Sequence, residues 1–123
     1  MKARTTIATG IALAAIAVGL GAFGAHSIKD RVEPDKLEVW LTGVRYLMWH
    51  ALALILVGQL QDKFQLSGLA PRLMSAGVLL FSGSLACLTF GILPDLMGPL
   101  TPLGGSLMLA SWITLFVQVR RSQ

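Results

Sequence analysis

Charge is what this chain has least of. Only 13% of its 123 residues are Asp, Glu, Lys or Arg, against 54% apolar, and residues 5–26, 46–61, 73–94 and 96–119 carry no such charge. A soluble domain devotes about a quarter of its residues to charge. Four long uncharged stretches leave no surface on which to put it, which excludes an ordinary soluble domain. Cysteine is nearly absent as well. Cys87 stands alone inside the third stretch, so there is no disulfide framework and no Cys-based metal site, and the default expectation is a residue packed against a neighbouring helix. Two histidines without a supporting ligand spacing complete no zinc site, and neither a metal nor a cofactor is expected.

The net charge of +4 and the pI near 9.9 raise the question of nucleic acid. The basic residues, however, come in pairs between apolar segments and form no continuous stripe, so no nucleic-acid partner is expected. Enzyme signatures are missing too. "FSGSL" (81–85) is not the G-x-S-x-G elbow of a hydrolase, and "GPLTPLGG" (98–105) has glycines without the phosphate-loop lysine. A non-enzymatic protein is expected.

What is present is a set of membrane spans. At 1.5 Å per residue, 22 residues reach about 33 Å, enough for a hydrocarbon core roughly 30 Å thick. The pattern predicts an all-α integral-membrane four-helix bundle, one domain over 1–123, with spans near 5–26, 41–60, 71–92 and 102–119. Lys2 and Arg4 ahead of the first stretch, with "AFGA" at 22–25, resemble a signal peptide, but the apolar run exceeds a usual h-region. An uncleaved anchoring helix is expected.

Between the first two spans lies "SIKDRVEPDKLEVW" (27–40), which holds most of the acids. Pro34 suits the first turn of a helix and Asp35 its positive end. A short interfacial helix is expected here, continuing into span two with a bend at Gly43, its boundary zone marked by Trp40, Tyr46 and Trp49. Before span four, Thr101 is expected to cap and Pro102 to open the helix.

Small residues suggest close helix packing. Gly10/Ala14, Ala15/Gly19 and Gly21/Ala25 have four-residue spacing, and Ser75/Ser82/Thr89 and Gly77/Ser84/Gly91 repeat every seven. Gly19, Gly21, Gly24, Gly43, Ser82, Gly83, Gly104 and Gly105 are the candidate packing positions. These stripes could be consumed within one bundle or leave a face for a homo-oligomer or membrane-protein partner.

Four spans put both termini and the 61–72 loop on one side. That side has Lys2, Arg4, Lys63, Arg72, Arg120 and Arg121 with Asp62 alone; the other has Lys29, Arg31, Lys36 and Arg45 with Asp30, Glu33, Asp35, Glu38 and Asp95. The positive-inside bias predicts cytoplasmic termini.

This topology gathers polar membrane residues toward the outer side: His26, Arg45, Tyr46, Trp49, His50, Ser84, Thr89 and Ser106. Arg45 has three readings: snorkelling to the interface, a bridge to Glu33, Glu38 or a helix-end carbonyl, or recognition of a ligand or lipid. For His50 the expectation is a neutral imidazole donating to a carbonyl or hydroxyl on a facing helix. A proton relay would need a continued path that the cytoplasmic half lacks. His26 is expected at the interface, beside a helix C-terminus.

Four blocks carry a family resemblance: "GAFGAH" (21–26), "TGVRYLMWHALAL" (42–54), "LFSGSL" (80–85) and "GPLTPLGG" (98–105). In this order, across nearly the whole chain, the sequence resembles the domain of unknown function 423 family of small membrane proteins, related to eukaryotic transmembrane protein 256. The resemblance implies a bacterial inner-membrane protein of about four helices, and no reaction. Gly24, His26, Gly43, Arg45, Tyr46, His50, Ser82, Gly83, Ser84, Gly98, Pro99, Pro102, Gly104 and Gly105 match its motifs, whereas Trp49 falls at a variable position.

The function expected is a membrane helper or a lipid- or partner-binding protein, with membrane lipids as its first partners. The alternative is a small oligomeric transporter or channel.

Overall fold

A computed structural model describes residues 1–122, which form four helices: α1 Ala3–Phe23, α2 Pro34–Phe64, α3 Leu69–Thr89 and α4 Pro94–Arg121. Each is long and apolar enough to cross a membrane. They alternate in direction, as the short turns at 65–68 and 90–93 require. α1 packs on α2, α2 on α3 and α3 on α4, while α1 and α4 form no extended contact. The core is the shared inner face, where Leu54, Met74 and Val78 are fully buried among Leu13, Leu47 and Met108. Large apolar side chains also cover the outside, including Val18, Leu56, Leu109 and Phe116 at 57–67% exposed. A surface this apolar is stable against lipid and not against water.

α1 passes directly into a π-helical turn, Gly24–Ile28. The turn packs against α2. Trp40 is buried and donates its indole N–H to the Leu20 carbonyl at 3.0 Å. Its ring occupies the place where a Gly24 Cβ would stand, 2.6 Å from Nε1.

The interfacial helix expected before span two is the beginning of α2 itself. One helix of 31 residues runs unbroken through Gly43, about 46 Å long and so longer than a hydrocarbon core. Pro34 stands at its start and Asp35 in its first turn. Instead of marking a bend, Gly43 permits a close approach. Ser82 on α3 donates its hydroxyl to the Gly43 carbonyl at 2.7 Å.

α4 departs from expectation. It begins at Pro94, about two turns ahead of Pro102. Gly91 (φ 66°) and Leu93 (φ 44°) take left-handed conformations that reverse the chain, and Pro94, with its φ already fixed, opens the helix beside Asp95. Pro99 and Pro102 lie inside it and remove the N–H partners of the Asp95 and Gly98 carbonyls. Both of those residues are exposed, which makes the loss tolerable there. Thr101 does not cap; it lies about two turns inside the helix, next to Pro102.

α3 and α4 cross closely. A Cβ on Gly77 would lie 2.7 Å from the Met108 nitrogen, and one on Gly104 would lie 2.7 Å from the Gly77 carbonyl oxygen. The two glycines bring the backbones together as small-residue pairs do in membranes.

Candidate functional site

The polar residues expected on the outer side separate into a fixed aromatic group and an exposed edge. His50, 6% exposed, stands at the centre of the first. Its Nδ1 lies 2.9 Å from the Tyr46 carbonyl, one turn back on α2, and its Nε2 lies 3.2 Å from the Trp112 indole nitrogen on α4. An indole N–H only donates. Nε2 is therefore the acceptor, and Nδ1 carries the proton that it gives to Tyr46. Both ring nitrogens are therefore engaged in hydrogen bonds.

Aromatic rings enclose this imidazole. Tyr46 stacks on it with centroids 6.1 Å apart and planes 11° from parallel, and Trp112 meets it edge-on at 6.0 Å. Tyr46 also packs on Phe81 of α3 at 4.7 Å. Three helices are thus joined around one histidine.

The exposed edge lies beside this group on α2. Arg45 has 49% of its side chain exposed, and its one ionic contact among the described residues is with Glu38 at 3.5 Å. Such a surface pair contributes little. Trp49, one turn along, is 56% exposed and rests on the Tyr46 ring at 5.1 Å. The edge therefore presents a guanidinium and an indole against the packed group behind them.

The remaining expected residues lie elsewhere. His26 is exposed on the π turn and makes no side-chain hydrogen bond among the described residues. Ser84 meets Thr101 of α4 at 2.6 Å, forming a hydroxyl link across the α3–α4 crossing. Thr89 donates to Leu85 and Ser106 to Pro102, each within its own helix. Of the packing positions, Gly21 faces Val44 and Gly43 faces Ser82 and Leu85, whereas Gly19 and Gly83 have no neighbour within 4 Å and Gly105 makes only ordinary contact with Phe81.

Three polar residues outside the expected set are also fixed in the fold. Trp112 is one. The others are Thr6 on α1 and Gln61 on α2, both buried. The Thr6 hydroxyl donates to Gln61 Oε1 at 2.6 Å, and Gln61 Nε2 donates to the Met1 carbonyl at 2.8 Å. Among the described residues no group of three or more His, Cys, Asp or Glu could hold a metal.

Four apolar helices with a lipid-compatible surface define a multi-pass integral-membrane protein of the all-α bundle class. The family described as "Protein of unknown function (DUF423)" matches residues 20–105, a stretch that contains the aromatic group apart from Trp112. The chain belongs to this family. It is similar to the UPF0382 membrane protein YwdK of Bacillus subtilis, 48% identical over 109 residues that cover 85% of this chain and 86% of the relative. It is also similar to SAB0533 of Staphylococcus aureus, at 37% with 85% of each chain covered. A fission-yeast relative, C1782.12c of Schizosaccharomyces pombe, is 39% identical over 83% of this chain and 90% of its own, so the family extends into eukaryotes. No solved structure matches significantly. The bacterial relatives and the four apolar helices define a bacterial multi-pass membrane protein in contact with lipid.

Proposed function

We propose that this protein is a non-catalytic membrane helper that recognises a lipid headgroup or a membrane partner along the outer edge of α2. The observation that carries the reading is the contrast between two residues five positions apart on α2. His50 is buried with both nitrogens engaged, while Arg45 is half exposed with one long contact to Glu38. A guanidinium in that state is available to a phosphate or carboxylate, and Trp49 beside it suits the interfacial layer. The fixed aromatic group behind the edge holds both at a set depth. Apolar packing of Leu54, Met74 and Val78 through the middle of the bundle supports binding over solute flux.

The six basic residues on the side of the termini support an orientation with both termini in the cytoplasm of a bacterial inner membrane. Open Gly19 on the outer face of α1 leaves room for a second copy or a partner helix. The test is mass spectrometry of lipids and proteins retained after mild extraction, comparing wild type with Arg45→Gln. Loss of one anionic lipid or one membrane protein supports the reading, and an identical profile contradicts it.

A further inference from the structure

A second feature lies at the opposite end of α2, beside Met1 and the α2–α3 turn. Here an open groove of about 560 Å³ lies on the surface along the contact between α1 and α2. Ile7, Ala8 and Ile11 form its α1 wall and Gly58 its floor. Gly58 is a close-contact position: a Cβ there would lie 2.9 Å from the Ala3 carbonyl oxygen. The groove mouth carries Arg4, Asp62 and Lys63.

From these residues we infer that the groove is a binding site for one anionic phospholipid, with its phosphate against Arg4 and Lys63 and an acyl chain along Ile7, Ala8 and Ile11. Charge and depth fit this occupant together. Arg4, Ile7, Ala8 and Ile11 share one face of α1 by their spacing of three and four, so the groove runs about 10 Å inward from its charged mouth. The two basic groups face one acid, a net positive mouth that matches a headgroup of single negative charge. Neither Arg4 nor Lys63 has a carboxylate within 4.0 Å among the described residues, where Arg45 and Glu38 form the ion pair present. Lys63 instead lies 5.3 Å from the Phe64 ring centroid. Asp62 adds an acceptor for a headgroup hydroxyl. A soluble anion would use the mouth and leave the apolar wall empty, whereas a phospholipid uses both.

The experiment is native mass spectrometry of the full chain in mild detergent, offered equal amounts of phosphatidylglycerol and phosphatidylcholine with matched acyl chains. Wild type is expected to retain one phosphatidylglycerol with a preference of about tenfold. The double variant Arg4→Gln/Lys63→Gln, which changes only exposed side chains, should hold the two lipids equally. Ala8→Trp, which fills the groove, should hold less of both. Arg45→Gln should leave the ratio unchanged, and this separates the groove from the outer edge of α2: either can fail without the other. Absence of a preference in wild type, persistence of it in the double variant, or full retention by Ala8→Trp would each overturn the assignment.

Discussion

Trp112 on α4 donates its indole N–H to Nε2 of His50 on α2, 3.2 Å away and 62 positions earlier in the chain. This bond fixes the histidine tautomer and joins two helices that otherwise touch little. Trp112→Phe keeps most of the ring and removes the donor. It should cost about 0.6 to 1 kcal/mol, the range for a single hydrogen bond in a membrane protein. His50→Ala also opens a cavity beside Tyr46 and strands the donor, so about 2 to 3 kcal/mol is expected. Denaturant unfolding of the four chains of a double-mutant cycle measures both; additive losses would mean that the bond couples nothing.

Glycines in this chain should respond to substitution with opposite signs. Gly77→Ala puts a methyl 2.7 Å from the Met108 backbone nitrogen, forces α3 and α4 apart, and should cost more than about 2 kcal/mol. Gly83→Ala, six residues along the same helix, meets nothing within 4 Å and should be neutral or stabilising by up to about 1 kcal/mol through helix propensity. Thermal midpoints in detergent separate the two, and equal losses would contradict the crossing described.

The buried Thr6–Gln61 pair leads to a third expectation. Gln61→Leu removes the 2.6 Å bond from Thr6 and the 2.8 Å bond to the Met1 carbonyl, leaving the Thr6 hydroxyl only the Lys2 carbonyl at 3.2 Å, and should cost about 1 to 3 kcal/mol. Thr6→Val combined with Gln61→Leu should cost less than the two single losses added together, because neither group is then left alone. Unfolding midpoints of the singles and the double decide it; strict additivity would remove the pair from the account.

The apolar stretches made the helices legible, since no other element spends so many uncharged residues in a row. The polar cluster was legible only on its own helix. The four-residue spacing of Tyr46 and His50 places them on one face, but nothing local in "LASWITLF" ties Trp112 to His50. That partnership depends on how α2 and α4 cross. Gln61 is the last residue of the uncharged stretch 46–61 and reads as the start of a polar loop, although the helix continues to Phe64 and buries it. At the start of α4, Pro94 and Pro102 carry the same local signal. Left-handed Gly91 and Leu93 decide for the first. Spacing alone likewise cannot distinguish Gly77, pressed on α4, from Gly83, which faces open space.

The central claim is that Arg45 serves recognition while His50, five residues further along α2, serves structure. The most direct test extracts wild type, Arg45→Gln and His50→Gln under identical mild conditions, then measures retained lipids and proteins alongside unfolding midpoints. Arg45→Gln should alter the retained profile and shift stability by no more than about 1 kcal/mol, whereas His50→Gln should lower stability and leave the profile of the folded fraction intact. The reverse pattern, with Arg45 needed for stability and His50 for retention, would contradict the account.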